Sequence, residues 1–461
     1  MSHNLVSMPT ELLNAVVEHV DNGQICQLRL TCHSLLNLVH RKFRSMFNIR
    51  QTDLSIVSLK RLHDISSRPY LASSVRNLTI TAVTYDHAFL SQLSVDEPVN
   101  PLPIQLTADE RTQVIREKNA LYYEHDVHYS CLNPNRTVAI LQAVFYHLNA
   151  LETLNLETAV YKMAGRRLPA YTCTDWPDAW YSAVFTYRIT MLALSRSSTP
   201  LQTFNVYGGH WSGSLSMTDL TQSIAVLSTP ELKSTFEGLK TLSLCTSAQN
   251  LADHDSNSPL QTIPEFDTTG TANFLKLCPH LEELDLHFYI LHHGAINAAN
   301  GILKDIIHRI QLSRLRCLKL RGTELRGDTL LRFLRRFSSI KEIHLHDIEL
   351  IWATWQPIFE YCCDYGSNVE ILTVRGLTES TMRREKDQVF FGDEAARSLL
   401  TFAGEELKKG IKYRLVPDPW RWPEHDVRRP EYGPPLGKDG RTEGYWRQWW
   451  DMGNASACGR A

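Results

Sequence analysis

"LEELDL", residues 281–286, is the stretch whose reading decides the fold. Its order, apolar-x-x-apolar-x-apolar, returns as "VRNLTI" from Val75, "LETLNL" from Leu151, "LQTFNV" from Leu201 and "LKTLSL" from Leu239. It appears again as "LRCLKL" from Leu315, "IKEIHL" from Ile340 and "VEILTV" from Val369. The last four copies start at 281, 315, 340 and 369, that is 34, 25 and 29 residues apart. Side chains alternate sides along a strand, so the last two apolar residues of each copy are expected to point into a core and their neighbours away from it. Between copies lie segments with helical spacing of apolar residues: "TVAILQAVFYHL" (137–148), "GILKDIIHRI" (301–310) and "DTLLRFLRRF" (328–337). A single strand–helix unit cannot bury its own apolar face, so the units must stack on one another with the strands parallel.

Composition narrows the rest. The chain has 461 residues, 43% apolar and 21% charged, with a formal net charge of -2. That near-neutral balance argues against nucleic acid as a partner, because such binders carry a basic field. No apolar run approaches the roughly 18 residues of a membrane helix, and no basic segment followed by an apolar run opens the chain, so it reads as intracellular. The ten cysteines are scattered and fit free thiols in a reducing compartment. The adjacent pair Cys362-Cys363 falls in a segment, Trp355–Tyr365, that reads as a helix with buried thiols.

The repeated pattern is interrupted twice. Residues 94–135 read as a proline-rich loop followed by an exposed helix, and residues 207–220, "YGGHWSGSLSMTDL", read as a Gly/Ser-rich loop. Residues 417–450 hold Trp420, Trp422, Trp446, Trp449 and Trp450, half the tryptophans of the chain, and read as an aromatic cap on the last unit. Residues 451–461 read as a disordered tail.

A separate module opens the chain. In "MPTELLNAVVEHV" (8–20), Pro9 suits a first helical position and Glu11 the first turn. Leu12, Leu13, Val16, Val17 and Val20 form an apolar stripe, and Asp21-Asn22-Gly23 reads as a stop signal. A second helix carries Ile25, Leu28 and Leu30, and a third Leu35, Leu36, Val39 and Phe43. Met8-Pro9, Glu11-Leu12-Leu13, Leu28-Arg29-Leu30, Cys32, the helix from Leu35 to Val39, and Phe43 follow one another as they do in the F-box. Met8 and Val20 stand where leucine is commoner. This stretch, about the first 45 residues, resembles that three-helix module, and the whole chain resembles F-box proteins with divergent leucine-rich repeats, such as those of filamentous fungi.

The resemblance implies an α/β fold in which an N-terminal F-box over residues 1–50 precedes an irregular leucine-rich-repeat solenoid over 51–416, strands inside and helices outside. It also implies the partners. Met8, Pro9, Leu12, Leu13, Val16, Val17, Val20 and Leu28 would meet a Skp-type adaptor and, through it, a cullin. The chain would then be the substrate-recognition subunit of an SCF-type ubiquitin ligase and not itself an enzyme. The alternative is an F-box scaffold that acts without ubiquitin transfer.

No P-loop, dinucleotide fingerprint, hydrolase elbow or zincin motif occurs, so no catalytic residue and no cofactor are expected. The outward strand positions are the candidate target-binding residues. Early units offer Asn77, Thr79, Asn155, Thr203, Asn205 and Tyr207; later ones offer Asp285, His287, Lys319, Arg321, His344, His346 and Arg375. Arg321, His346 and Arg375 are expected in a row with about 5 Å between neighbours. Such a row suits a carboxylate or phosphate, hence an acidic or phosphorylated protein target. His344 and His346 are the best metal candidates, with His287 two units earlier, but the cations Lys319 and Arg321 between them disfavour a metal, and none is expected.

Overall fold

The computed structural model describes residues 10–31, 33–85, 134–163, 166–169, 176–208, 213–227, 229–247, 268–289, 296–380, 386–390 and 399–417, with the helical positions 112, 116 and 119. Three helices come first: α1 (Thr10–His19), α2 (Asn22–Arg29) and α3 (His33–Ser45). Asp21 does not simply end α1. Its extended backbone and its side chain, which accepts from Gln24 N at 2.8 Å, cap α2 instead.

The remaining strands build one largely parallel sheet: β1 (Ile49–Asp53), β2 (Asn77–Tyr85), β3 (Thr153–Met163), β4 (Arg166–Pro169), β5 (Thr203–Val206), β6 (Leu215–Ser216), β7 (Thr241–Ser247), β8 (Glu283–Tyr289), β9 (Cys317–Arg326), β10 (Glu342–Ile351), β11 (Ile371–Arg375), β12 (Thr378–Ser380), β13 (Lys386–Phe390), β14 (Leu400–Ala403) and β15 (Arg414–Pro417). From β1 to β10 the principal strands pair in chain order, β1-β2-β3-β5-β7-β8-β9-β10, while β14 closes antiparallel on β11 and β13 on β12. β1 carries no copy of the hexamer, and the expected boundary at residue 50 falls inside it.

The hexamers align in register. Leu78, Leu154, Phe204, Leu242, Leu284, Leu318, Ile343 and Leu372 form one continuous row, and Ile80, Leu156, Val206, Leu244, Leu286, Leu320, Leu345 and Val374 form the next. All sixteen are buried. Where the first row carries Phe204 in place of an aliphatic residue, it packs on Phe236 and Phe274, with ring centroids 5.4 and 6.2 Å away. The backbone fixes this register. The second residue of every hexamer but the last offers one carbonyl to two successive amides of the next unit, as Arg76 does to Glu152 and Thr153, Lys240 to Glu282 and Glu283, Glu282 to Arg316 and Cys317, and Arg316 to Lys341 and Glu342. One residue of slippage would turn every core leucine to the opposite face.

Helices cover the core face. Ile56–Ser66 (α4), Pro134–His147, Trp176–Leu194, Met217–Leu227, Thr269–Leu275, Ile296–Arg309, Gly327–Arg336, Gln356–Cys363 and Gly404–Lys408 pack each against the next. Their apolar residues and the two strand rows form one core. The segments expected at 137–148, 301–310, 328–337 and 355–365 are therefore helical. Two expectations near residue 207 are corrected. Tyr207 is not on the outward face: its backbone turns left-handed (φ 55°), its ring is buried, and its hydroxyl donates to Ala183 O at 2.7 Å. The stretch 207–220 is not all loop either, because β6 and the helix Met217–Leu227 begin within it.

The N-terminal helices form a second, smaller core of Val17, Ile25, Val39 and Phe43, which Leu71 of α5 (Pro69–Ala72) and Ile65 of α4 complete. Arg44 of α3 donates to the hydroxyls of Ser73 and Ser74, both at 2.9 Å, and so ties the module to the first strand–helix unit. Most of the insertion at 94–135, the aromatic segment 418–450 and the tail 451–461 lie outside the described residues.

Candidate functional site

Two surfaces and one side-chain cluster stand out. The first surface is on α1. Its apolar stripe is divided by the small core: Val17 is 7% exposed, Val20 and Leu28 pack at the core's edge, and Leu12 and Val16 stay 52% and 45% exposed. Leu12 and Val16 are one turn apart, so they form a short apolar ridge facing outward. Leu30, just beyond α2, is 87% exposed. Met8, Pro9 and the side chain of Leu13 lie outside the described residues.

This ridge is held in place. Lys42 of α3 donates to the carbonyls of Val17 (3.0 Å), Glu18 (2.5 Å) and Val20 (3.0 Å) at the end of α1. Val17 O also accepts from Val20 N at 3.2 Å, but the last carbonyls of a helix run short of amide partners, and a cation there also complements the negative end of the helix dipole. Arg29 lies over the Phe43 ring, 3.6 Å from its centroid, and closes the other side. The result is an exposed apolar ridge on a fixed support.

The second surface is the sheet face opposite the helices. Its N-terminal half is a ladder of neutral polar groups. Asn155 donates to Thr79 at 3.3 Å, and Asn205 donates to Asn155 at 2.6 Å. The C-terminal half is charged. Three strands put Asp285, Lys319 and His344 side by side, and the next position along puts His287, Arg321, His346 and Arg375 in one row.

The row of cations exists, but its members are engaged. Arg321 makes a two-pronged contact to Asp285, Nε to Oδ1 at 3.0 Å and Nη2 to Oδ2 at 2.7 Å, and Nη2 also reaches Gly208 O at 2.6 Å. Arg375 donates to Asp347 at 2.8 Å and Lys319 to Glu283 at 2.6 Å. An incoming carboxylate would therefore have to displace Asp285 or Asp347. His287 is 3% exposed and belongs to the wall, not the surface. Burial lowers the pKa of His346 to about 4, helped by Arg375, so its ring is neutral at physiological pH. Burial, then Lys319, lowers His344 as well. For Lys319 burial acts downward, but the hydrogen bond and charge of Glu283 outweigh it and hold the ammonium above its ordinary value.

The cluster lies on the same face. Cys317 and Glu342 are directly opposite each other on β9 and β10, and His344 is two residues beyond Glu342 on the same side of the strand. Their sulfur, carboxylate and imidazole donor atoms all lie within 4.8 Å of one another. Burial, then Glu283, pushes the Cys317 thiol up to about 12. The sequence reading considered His344 only with His346 and His287. Cys317 escaped it because 25 residues separate it from Glu342, and only the strand register brings the two together. Of the pair expected as buried core thiols, Cys362 is one, and burial raises it to about 12, whereas Cys363 is only partly buried.

Residues 5–44 match the F-box domain family. The match spans the three helices that carry the ridge and its lysine support, so the chain has an F-box domain at its N-terminal end. F-box domains typically bind Skp1 adaptors, and proteins that carry them are generally non-catalytic. No curated protein matches the chain. Among the described residues no helix is long and apolar enough to cross a membrane.

Proposed function

We propose that this chain is the substrate-recognition subunit of an SCF-type ubiquitin ligase. The F-box holds a Skp-type adaptor and through it a cullin, and the sheet, read as a leucine-rich-repeat solenoid, holds the target. The observation that carries this reading is the exposed Leu12–Val16 ridge within the F-box span, propped from behind by Lys42. A surface helix of a globular protein turns such a stripe to the core; here Leu12 and Val16 face outward, where an adaptor groove can cover them.

Such a subunit works by proximity. It needs no acid, base or nucleophile, because the assembled ligase keeps a target lysine near the charged conjugating enzyme at raised effective concentration. The target surface in this reading is the outward sheet face formed by Asp285, Lys319, Arg321, His344, His346 and Arg375. Because Asp285 and Asp347 already occupy the arginines, an acidic or phosphorylated target binds there by exchanging one ion pair for another. Exchange of that kind contributes more to selectivity than to raw affinity.

Copurification from cells tests the assignment. The tagged chain should recover a cullin together with the adaptor, and proteasome inhibition should increase the yield of further proteins. Adaptor without cullin would favour a scaffold that acts apart from ubiquitin transfer.

A further inference from the structure

We propose that Cys317, Glu342 and His344 form a three-ligand zinc site on the outward face of the sheet, with a fourth coordination position open to solvent. This inference depends neither on adaptor docking nor on target recognition, although it shares His344 with the proposed target surface.

The geometry comes from the sheet. Cys317 and Glu342 are paired across neighbouring parallel strands, and His344 follows Glu342 with one intervening residue. The residues beneath them, Leu318 and Ile343, are fully buried in the continuous core rows, so the spacing of the three ligands is set by the fold and not by a mobile loop. A tetrahedral zinc ion with bonds of about 2.0–2.3 Å places its ligands about 3.3–3.8 Å apart. The His344 Nε2 to Glu342 Oε2 separation is 3.8 Å, and no donor pair of the three exceeds 4.8 Å. Rotamer adjustments of about 1 Å therefore close the site with no backbone change.

Ligand chemistry selects the ion. A thiolate with an imidazole and a single carboxylate suits zinc; calcium and magnesium require oxygen ligands. On binding, the S–H bond of Cys317 breaks, its proton passes to water, and a sulfur–zinc bond forms, with no change of oxidation state. The charges balance locally. Thiolate and Glu342 neutralise the dication, while Lys319 is neutralised by Glu283 at 2.6 Å and Arg321 by Asp285 at 2.7 Å. This removes the objection that neighbouring cations raise against a metal here. Glu342 is half exposed, so the ion is reachable and a water can fill the fourth position.

The test uses the full chain, stripped with a chelator and then titrated with cobalt(II) alone, with zinc(II) added as competitor. The expected result is saturation at one equivalent with a thiolate-to-cobalt charge-transfer band, which zinc abolishes. Cys317→Ser should lose the band, His344→Gln should weaken cobalt binding by more than about tenfold, the loss that even an outer-sphere partner produces, and Cys363→Ser should behave as wild type. Circular dichroism of each variant confirms the fold. No band in the wild-type chain, or an undiminished band in folded Cys317→Ser, overturns the proposal.

Discussion

Lys42 holds Val17: its ammonium donates to the Val17 carbonyl at 3.0 Å, and the same group takes the carbonyls of Glu18 and Val20. One side chain of the third helix thus finishes the first, and the exposed Leu12–Val16 ridge depends on a residue outside its own helix. A cation at a partly buried helix C-terminus contributes up to about 2 kcal/mol. Lys42→Met should therefore increase amide exchange in α1 by about tenfold, while exchange in β9 and β10 stays unchanged. Equal protection of α1 in the two proteins would mean that the lysine is not what holds the helix.

The strand register makes a paired prediction. Leu318 is fully buried in the core row and Lys319 is on the outward face. Leu318→Ala should lower stability to urea by about 2–5 kcal/mol, the cost of a core cavity. Lys319→Ala should cost about 1 kcal/mol or less, because its partner Glu283 remains partly hydrated. Similar losses for both would contradict the alternation of faces.

Arg321 and Asp285 are nearly buried together, with side-chain exposures of 11% and 14%. Removing one member leaves the other charge without compensation, at about 3–5 kcal/mol. Arg321→Met should destabilise the chain by about that amount, and Arg321→Met with Asp285→Leu should recover part of it. A double variant no more stable than the single would show that the Gly208 contact, not the ion pair, is what Arg321 contributes.

Much of this architecture was legible because one signal repeats. Each hexamer alone is a chance match, but stacked copies must share a register, and the buried rows from Leu78 to Leu372 follow directly from it. The helix Trp176–Leu194 was not legible for the opposite reason. It is apolar almost all round: Trp180, Ala183, Ile189 and Ala193 point in different directions and are all buried, and the exposed side carries Tyr181, so no single stripe stands out. The bend across the C-terminal strands was also hidden. Gly322, Asp347 and Gly376 follow Arg321, His346 and Arg375, residues that pair across neighbouring strands, and all three have left-handed backbones. Glycine signals such a turn, aspartate rarely does. At Gly376 the φ of 61° and the nearness of Asp347, whose Oδ1 would lie 2.1 Å from an added Cβ, leave no room for a side chain.

The surface residues divide in the same way. Their positions along the strands could be read from the alternation, and Arg321, His346 and Arg375 do align. Their partners could not be read, because Asp285 and Asp347 reach them through side-chain geometry that spacing does not encode. In the F-box the stripe Leu12, Val16, Val17 and Val20 was evident, but which half of it is exposed depends on Leu71 and Ile65, contributed by the following unit.

Adaptor binding by the purified full chain tests the central claim most directly. Calorimetric titration with a Skp-type adaptor should give saturable binding to the wild-type chain. Val16→Glu places a charge on the exposed ridge, where an apolar groove would bury it without a partner. A cost of about 3 kcal/mol corresponds to at least about a 100-fold loss of affinity, with an unchanged circular dichroism spectrum. Equal affinity for wild type and Val16→Glu, or no binding by the folded wild-type chain, would contradict the account.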